Sequence, residues 1–364
     1  MKKTVGLYIH IPFCDSKCPY CDFYSMRCGD GEKERYVTAL CDEIVRQSRR
    51  FDCKVDTLYI GGGTPSCIGF ERVCKILDCV KSNFSLSDDA EITVECNPHS
   101  VSPEFFKKIA QSGVNRVSLG LQSANDGERK KLGRLSGKRE VENAVLFARN
   151  AGIENISLDV MLGIPDSTPE SLESTLEFCA AQNVTHISGY ILKIEENTPF
   201  YKMRSFLSLP DEDAVADMYL LMCSYLKKHG YAQYEISNFS KSGYESRHNL
   251  KYWNCEEYIG IGSSAHSFVD GRRYYCEKRT DGFYYVPDGT GGDFNEYAML
   301  RLRLKKGLTE AQTRKRYSFS IPEKMRREAE FLQKNGLVIS DAEGIRLTEN
   351  GFLLSNGVIS RLIY

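Results

Sequence analysis

Three cysteines stand close together near the start of the chain, at Cys14, Cys18 and Cys21. Thiolate sulfur binds zinc, copper(I) and iron–sulfur clusters. A structural zinc site is normally closed by four protein ligands. The nearest further donors are His10 and Cys28, and no second CxxC occurs in the sequence. Three thiolates alone suit a 4Fe–4S cluster with one iron left open, and a zinc site is the alternative.

A run of glycines, Gly61-Gly62-Gly63-Thr64-Pro65, follows the second apolar run of the chain. Glycine lets the backbone approach a bound molecule closely and present its polar groups to it. Any tight connection between a strand and a helix can use such glycines, so the run alone is a weak indication of a binding site. It gains weight from its position, because the three cysteines follow the first apolar run in the same way.

Further polar residues occur at or near the ends of later apolar runs. Glu95 and Gln122 end two of them. Arg134 lies in the next connection, and Asp159 lies within a further run. A single polar residue at a strand end is as often structural as functional. Several at successive strand ends indicate an active site, because barrels assemble their sites at the C-terminal ends of their strands.

These residues must be positioned by alternating strands and helices. Six short runs rich in β-branched and apolar residues are predicted as strands: Val5–Ile11, Val55–Ile60, Ala90–Cys96, Arg116–Leu121, Asn155–Met161 and His186–Leu192. Amphipathic segments between and after them are predicted as helices: Glu34–Phe51, Phe70–Phe84, Pro103–Ser112, Lys138–Ala151, Pro169–Ala181 and Asp211–His229. Such units imply parallel strands joined by right-handed crossovers, either in a full or partial barrel or in an open doubly wound sheet.

The pattern changes beyond residue 230. Residues 231–293 are rich in Tyr, Gly and Ser and lack helical periodicity, so we expect an irregular connecting region there. Helices then return, with two short strands before the last one: Asn295–Leu304, Pro322–Asn335, the strands Leu337–Ile339 and Gly344–Leu347, and a helix from Thr348 to about Ser360. We therefore predict a first domain at 1–230, the connecting region at 231–293 and a small helical, winged-helix-like domain at 294–364.

The composition excludes several classes of protein. Of the 364 residues, 41% are hydrophobic and 27% are charged, as in a globular protein with a full core. The net charge is −1, so no general attraction to nucleic acid or membranes is expected. No apolar run approaches the ~20 residues that span a bilayer. Most of the fourteen cysteines stand singly in predicted elements, which is typical of free thiols in a reducing cytoplasm.

The cysteine spacing Cys14-x3-Cys18-x2-Cys21 resembles the signature of the radical S-adenosylmethionine (SAM) superfamily. The preceding string, Tyr8-Ile9-His10-Ile11-Pro12-Phe13-Cys14, is similar to the start of the coproporphyrinogen dehydrogenase branch of that superfamily. The similarity extends nearly from end to end, through the C-terminal domain. It is greatest toward the haem chaperones of the branch.

This resemblance implies an α/β fold with a partial (β/α)6 radical SAM barrel that is open on one side for a porphyrin-sized ligand. It also implies a 4Fe–4S cluster on Cys14, Cys18 and Cys21. SAM would chelate the open iron and be cleaved by one electron to methionine and a 5′-deoxyadenosyl radical. The positions that match SAM-binding residues of the branch are Tyr8, Tyr20, Gly62, Gly63, Thr64, Glu95, Gln122, Arg134 and Asp159.

Two features bear on the position of the chain within the branch. The decarboxylases of the branch carry another cysteine two residues after the third ligand, whereas this chain has Phe23. The segment His248-Asn249-Leu250-Lys251-Tyr252-Trp253 matches the HNxxYW motif associated with haem binding in the chaperones. An imidazole can ligate ferric haem, so His248 is a candidate haem contact. A structural His–Asn turn with two packed aromatic rings is the alternative.

We therefore expect a cytoplasmic haem chaperone that binds a 4Fe–4S cluster, SAM and haem and transfers the haem to an acceptor protein. An electron donor such as flavodoxin or ferredoxin is implied by the same resemblance. The alternative function is oxygen-independent oxidation of coproporphyrinogen III, a SAM-dependent oxidative decarboxylation. A nucleic-acid-binding protein is a third hypothesis, based on the basic stretch between Arg301 and Arg327. A solvated surface explains that stretch more simply, and we expect neither nucleic acid nor a membrane span.

Overall fold

The computed structural model describes residues 2–363. The first half of this part of the chain alternates strands with helices. The strands are β1 (Lys3–Ile11), β2 (Cys53–Gly62), β3 (Ser85–Cys96), β4 (Arg116–Gln122), β5 (Asn155–Leu162) and β6 (His186–Ile191). The helices are α1 (Asp30–Arg50), α2 (Phe70–Asn83), α3 (Pro103–Gln111), α4 (Asp126–Lys131), α5 (Lys138–Asn150) and α6 (Pro169–Ala181), followed after β6 by α7 (Pro199–Lys202) and α8 (Glu212–Lys228). The six predicted strands and the six predicted helices are all present.

The six strands pair in parallel and in sequence order, from β1 to β6. Each has an apolar and a polar side, because successive side chains of a strand point to opposite faces. The apolar residues belong to the main hydrophobic core together with buried residues of the helices. The other side, which we name the polar face, carries Gly6, Tyr8, His10, Thr57, Tyr59, Glu91, Thr93, Glu95, Arg116, Ser118, Ser157, Asp159, His186 and Ser188. One face therefore provides the core, and the other provides a polar interior.

Residues 231–293 are not irregular, and this prediction was wrong. They contain β7 (Ala232–Gln233), β8 (Asn238–Ser240), α9 (Arg247–Trp253), β9 (Tyr258–Ile261), β10 (His266–Val269), β11 (Arg272–Cys276) and β12 (Tyr285–Thr290). Four of the strands extend the sheet beyond β1, and β8 and β7 extend it beyond β6. The strands are too short and too rich in glycine and tyrosine to show the alternation by which a strand is recognised.

The result is one mixed sheet of twelve strands in the order β12-β11-β10-β9-β1-β2-β3-β4-β5-β6-β8-β7. The strand β9 is parallel to β1, whereas β10 to β12 and the pair β7 and β8 run antiparallel to their neighbours. No pairing joins β12 to β7 in the described part of the chain, so the sheet is open, as predicted.

The C-terminal part contains helices around a small second sheet. Its elements are α10 (Phe294–Arg301), β13 (Leu308–Thr309), α11 (Glu310–Tyr317), α12 (Glu323–Lys334), β14 (Val338–Asp341), β15 (Gly344–Leu347), α13 (Glu349–Leu353) and α14 (Ser355–Leu362). The predicted two-stranded hairpin is a three-stranded antiparallel sheet, since β13 also pairs with β15. The predicted single last helix is interrupted at Leu354, which separates α13 from α14.

Local signals explain where most of the helices begin. Ser102, Thr168 and Asp211 accept hydrogen bonds from backbone N–H groups in the first turns of α3, α6 and α8, which is the usual role of an N-cap residue. The helices α4 and α7 were missed by the sequence analysis, because four to six residues are too few to show a helical period. The helix α11 was also missed, because its residues are almost all polar and show no apolar period. None of the helices within residues 2–363 is long and apolar enough to cross a membrane.

The hairpin of β9 and β10 provides a test of how tightly the added strands pack. A Cβ atom on Gly260 would overlap the backbone oxygen of His266. We therefore expect Gly260→Ala to lower the free energy of unfolding by about 1–3 kcal/mol, the usual cost of overpacking. The measurement is urea unfolding followed by circular dichroism.

Gly357→Ala is the matched control, because nothing lies within 4 Å of a Cβ at this exposed position in α14. Alanine there should raise the free energy of unfolding by about 0.5–1 kcal/mol, since glycine is unfavourable inside a helix. Equal unfolding midpoints for the two variants would contradict the described packing of β9 against β10.

Candidate functional site

The segment after β1 forms a closed loop, which we name the cysteine loop (residues 14–28). The Cys14 N–H donates to the Met26 carbonyl oxygen at 3.0 Å, and this bond brings the end of the loop back to its start. Within the loop, the Cys21 N–H donates to the Cys18 carbonyl oxygen at 3.1 Å. All three thiols are partly exposed and free of disulfides. The loop thus presents the three predicted cluster ligands at the C-terminal end of the first strand.

The glycine loop, as we name residues 61–65, begins in the last two residues of β2 and is hydrogen-bonded to the end of β1. The Gly63 N–H donates to the Ile11 carbonyl oxygen at 2.8 Å, and the Thr64 N–H donates to the Phe13 carbonyl oxygen at 2.7 Å. These two bonds extend the parallel pairing of β1 with β2 past the ends of both strands. The glycine loop and the first cysteine are therefore held side by side by the sheet itself.

Glycine is required where the two loops touch. A Cβ on Gly63 would lie 2.5 Å from the Phe13 carbonyl oxygen and 3.0 Å from Cys14 Sγ. Both distances are too short for a side chain in this position. The Thr64 hydroxyl lies 3.4 Å from the same sulfur. The close contact leaves Cys14 beside the backbone of the glycine loop, as a site for a cluster and its ligand requires.

A guanidinium lies next to the second cysteine. Arg134 Nη2 donates to the Gly120 carbonyl oxygen at 2.8 Å, and Nη1 lies 3.9 Å from Cys18 Sγ. The Nε atom of Arg134 is buried and has no hydrogen-bond partner among residues 2–363. A Cβ on Gly120 would lie 2.6 Å from Nη2, so this side chain also depends on a glycine. An orphaned donor on a cation beside a thiol fits a site that receives an anionic group.

The three thiols are not placed to bind a single metal ion together. In the described part of the chain, no three His, Cys, Asp or Glu side chains are close enough to hold one ion together. A four-iron cluster carries its thiolates on separate irons and spaces them more widely than zinc does. Burial raises the pKa of the Cys14 and Cys21 thiols, so the thiolates that a metal needs are disfavoured until metal is bound.

Glu95, at the end of β3, is bonded to the glycine loop. Its Oε2 accepts a hydrogen bond of 3.2 Å from the Gly62 N–H, and its Oε1 accepts one of 2.7 Å from the Tyr59 hydroxyl. Burial raises the pKa of Glu95 to about 7, although both hydrogen bonds act in the opposite direction. This carboxyl group therefore changes its charge near neutral pH, at the edge of the glycine loop.

The next two predicted residues lie further along the same edge. Asp159 on β5 accepts a hydrogen bond of 3.0 Å from the Ser118 hydroxyl of β4, and burial raises the pKa of Asp159. Gln122 is buried at the end of β4 with a positive φ of 68°, which is uncommon for a residue other than glycine. The structure thus brings Gly62 and Glu95 into contact, whereas Asp159 is bonded to the strand beside it.

Tyr8 and His10 line the start of the site on β1. The Tyr8 hydroxyl lies 3.0 Å from His10 Nδ1, and His10 Nε2 lies 3.1 Å from the Tyr24 carbonyl oxygen in the cysteine loop. A Cβ on Gly62, whose φ is +119°, would lie 2.8 Å from the His10 ring. Burial lowers the pKa of His10 to about 4. A neutral His10 therefore joins the strand to both loops and is a structural rather than a ligating residue here.

Tyr20 is part of the apolar packing of the cysteine loop. Its ring lies 6.2 Å from the ring of Phe200, in the segment after β6. Leu132 and Ile164 belong to the same small hydrophobic cluster. The backbone N–H of Phe200 donates to the Pro19 carbonyl oxygen at 3.0 Å. The segment after β6 thus covers one side of the cysteine loop.

Arg116 lies at the centre of the polar face and was not singled out by the sequence analysis. Its side chain is 2% exposed, and its Nε has no hydrogen-bond partner within the described residues. Burial disfavours this charge, but Glu91 and other groups of the polar face keep the pKa of Arg116 above its ordinary value. The sequence signal that could have pointed to Arg116 was its charge at the first position of a predicted strand that is otherwise mostly apolar.

His248 is buried below the site, and its ring is already hydrogen-bonded on both sides. Nδ1 lies 2.8 Å from the Thr57 hydroxyl and Nε2 lies 2.9 Å from the Tyr252 hydroxyl. The side chain is 1% exposed. The Glu91 carboxylate accepts bonds of 3.0 Å from the backbone N–H groups of Arg247 and His248 and so holds the first turn of α9 on the polar face. Ligation of haem by this imidazole would require breaking at least one of its two bonds.

Family comparisons agree with this arrangement. The family profile described as "Radical SAM superfamily" matches residues 8–179, which include the cysteine loop, the glycine loop and Glu95. The profile described as "HemN C-terminal domain" matches residues 294–354. Both matches fall in the parts of the fold that contain the site and the second sheet, respectively.

Relatives and a solved structure extend the similarity over the whole chain. The protein named heme chaperone HemW in Bacillus subtilis is 34% identical to this chain, over 98% of this chain and 98% of that protein. The Escherichia coli protein of the same name is 40% identical, over 74% of this chain and 72% of that protein. The structure of E. coli coproporphyrinogen III oxidase (HemN) has a TM-score of 0.86 at 21% identity and covers 100% of this chain and 90% of that one. The predicted α/β partial barrel with a C-terminal HemN-type domain is thereby confirmed. The chain belongs to the radical SAM superfamily and, within its coproporphyrinogen dehydrogenase-like branch, to the family of proteins named heme chaperone HemW.

Proposed function

We propose that this protein is a haem chaperone that binds a 4Fe–4S cluster, SAM and haem and transfers the haem to an acceptor protein. The contact between the cysteine loop and the glycine loop carries the proposal. Gly63 and Thr64 are held beside Cys14 by backbone hydrogen bonds to Ile11 and Phe13 and by the absence of a side chain at position 63. The names of the relatives, which match nearly the full length of the chain, support the haem part of the proposal.

Cys14, Cys18 and Cys21 would hold the cluster, which when bound supplies one electron to the sulfonium of SAM. The residues around the cysteines would bind the ligand and shield it from water. Arg134 offers its unpartnered Nε to a carboxylate. Glu95, when ionised, offers negative charge to a cationic ligand, and the backbone of Gly62 and the neighbouring glycines lets that ligand approach. Tyr20 shields this side of the loop from water by packing against the segment after β6.

Haem has two broad apolar faces, and apolar side chains are exposed in segments that follow the C-terminal ends of the strands. The exposed side chains are Phe23 after β1, Leu135 after β4, Ile191 at the end of β6, and Phe206 after α7. Contiguous exposed apolar groups are typical of a binding surface. We propose that these four side chains form such a rim around the site and that the rim contacts the macrocycle. Haem contact by His248 stays a prediction, and its two hydrogen bonds weigh against ligation.

Phe23 also weighs against decarboxylation of coproporphyrinogen III as the function. It is exposed in the cysteine loop at the position where the sequence analysis expects a cysteine in the decarboxylases. The likeness to the E. coli oxidase, at 21% identity, concerns the fold alone. We further propose a cytoplasmic location, a protein electron donor such as flavodoxin or ferredoxin, and a separate haem-accepting protein.

The cluster is tested by removing one thiol at a time. Cys14→Ser, Cys18→Ser and Cys21→Ser, purified without oxygen, should each lose most of their iron and acid-labile sulfide, because each thiolate holds a different iron. Cys28→Ser is the control, since this thiol lies at the end of the same loop. Zinc without sulfide in the wild-type protein, or equal loss of iron in the control, would contradict the assignment.

The pH dependence of SAM binding tests the role of Glu95. Since burial raises the pKa of Glu95 to about 7, its carboxyl is protonated below that pH and charged above it. SAM affinity should therefore rise as the pH increases from about 6 to 8, as seen by isothermal titration of cluster-loaded protein. Glu95→Gln should bind SAM about tenfold more weakly at pH 8, the cost of losing a charged hydrogen-bond partner. The SAM affinity of Glu95→Gln should also change little with pH. If its pH profile matched that of the wild type, this role of Glu95 would be ruled out.

Haem binding is tested at the apolar rim. Ferric haem should give a saturable shift of the Soret band with the wild-type protein. Phe206→Asp should weaken binding at least tenfold, because it places a charge at a side chain that is 88% exposed on the rim. Leu354→Asp, at a position 59% exposed in the C-terminal part, should bind as the wild type does. A linear titration of the wild type, or anaerobic conversion of coproporphyrinogen III to protoporphyrinogen IX, would overturn the proposal.

A further inference from the structure

Three rings are grouped directly beneath the site. The Tyr59 ring stacks on the His248 ring, with centroids 5.2 Å apart and 29° between the planes. The Tyr8 ring lies 6.1 Å from Tyr59 and 6.4 Å from His248. Tyr8 and Tyr59 come from the neighbouring strands β1 and β2, whereas His248 comes from α9. The helix that carries the HNxxYW segment therefore reaches the polar face through one ring.

His248 has little freedom to move. Its two nitrogens are bonded to the Thr57 and Tyr252 hydroxyls, and burial lowers the pKa of His248 to about 3, so the ring is neutral. Lys251, one turn further along α9, pairs with Asp56 at 2.9 Å and so ties the helix to β2 a second time. A ring held on both edges gives a fixed surface for the stacked tyrosine.

Tyr59 carries this constraint to the glycine loop. Its hydroxyl donates to Glu95 Oε1 at 2.7 Å, and the other carboxylate oxygen accepts the Gly62 N–H at 3.2 Å. A Cβ on Gly61 would lie 2.9 Å from the Tyr59 ring and 3.1 Å from the Glu95 carboxyl group, so all three groups are in contact. The position of the Glu95 carboxylate therefore depends on the position of the Tyr59 ring.

We propose that His248 is a positioning residue for the SAM site, which acts through Tyr59 to hold the Glu95 carboxylate against the glycine loop. The inference rests on the proposed SAM binding and gives the HNxxYW segment a role that needs no bond from its histidine to haem. It predicts that changes at His248 alter the affinity for SAM although this side chain is buried below the loops.

The charge of Glu95 is also set by other groups, which a test at several pH values must hold constant. These groups are Asp159 of β5, which raises the pKa of Glu95, and Arg116 of β4, which lowers it. The hydroxyls of Tyr8, Tyr190 and Tyr252 also face Glu95, whose charge raises the pKa of each. None of them is changed in the variants below. Loss of the Tyr59 hydrogen bond alone should move the pKa of Glu95 upward, because that bond favours the carboxylate.

The test is a double-mutant cycle on SAM affinity, measured by isothermal titration of cluster-loaded protein. Tyr59→Phe should weaken SAM binding about tenfold and move the pH midpoint of binding upward, because a hydrogen bond to a charged group is lost. His248→Ala should weaken binding about fivefold. The variant with both changes should resemble Tyr59→Phe alone, since residues that act through one another are not additive.

His248→Phe provides the rescue variant. It keeps a planar ring for Tyr59 to stack on but has no nitrogen for haem, so it should bind SAM more tightly than His248→Ala does. If the His248 imidazole is not a haem ligand, haem titrations of both variants should match the wild type. The matched control is the stacked pair of Tyr225 on α8 and His229 directly after it, with centroids 4.1 Å apart. His229→Ala should leave SAM affinity unchanged.

The possible failures can be told apart. A wild-type protein that binds no SAM would overturn the proposed function. If the wild type binds SAM while His248→Ala binds it equally well, the positioning role is wrong although the proposed function stands. The positioning role is also wrong if the losses of SAM affinity in His248→Ala and Tyr59→Phe multiply in the variant with both changes. Loss of the Soret shift in both His248 variants with unchanged SAM affinity would instead identify His248 as a haem ligand.

Discussion

The structure depends on the division of each central strand into an apolar side and a polar side. Leu119 on β4 faces the hydrophobic core, whereas its neighbours Ser118 and Gly120 face the interior, and the same alternation recurs from β1 to β6. Closed barrels of parallel strands are usually filled with branched apolar side chains. This open sheet instead places carboxylates, hydroxyls and Arg116 inside, so its interior is available for polar ligands and its stability comes from the helix-covered side.

The alternation also explains why the loops at the C-terminal ends of the strands form a site. Parallel pairing of β1 with β2 continues into the hydrogen bonds of Gly63 and Thr64, so the cysteine loop and the glycine loop start from adjacent backbones. Glu95 and Arg134 then reach the same edge from β3 and from the segment after α4. The glycines at positions 62, 63 and 120 are needed because side chains there would overlap His10, Cys14 and Arg134. The sheet thus positions the loops, and glycine at these three positions leaves space for the neighbouring side chains.

Much of this organisation was predictable from the sequence. The six parallel strands have apolar runs of sufficient length, and capping residues such as Ser102 mark the starts of helices. The added strands β9 to β12 were not predictable, because they are short and because β9 joins the sheet by pairing with β1, which is distant in sequence. The three cysteines and Glu95 were singled out as candidate site residues from residue type, spacing and resemblance. Tyr59 was hidden within an apolar run, and the two hydrogen bonds of His248 depend on Thr57 and Tyr252, whose proximity only the fold determines.

The central claim is that three thiols at this edge hold an iron–sulfur cluster with an iron open to SAM. The most direct measurement is the electron paramagnetic resonance spectrum of the anaerobically purified, dithionite-reduced wild-type protein, before and after addition of SAM. The account predicts the signal of a reduced 4Fe–4S cluster and a change in that signal when SAM is added. A silent spectrum from protein that contains no inorganic sulfide, or a cluster signal that SAM leaves unaltered, would contradict it.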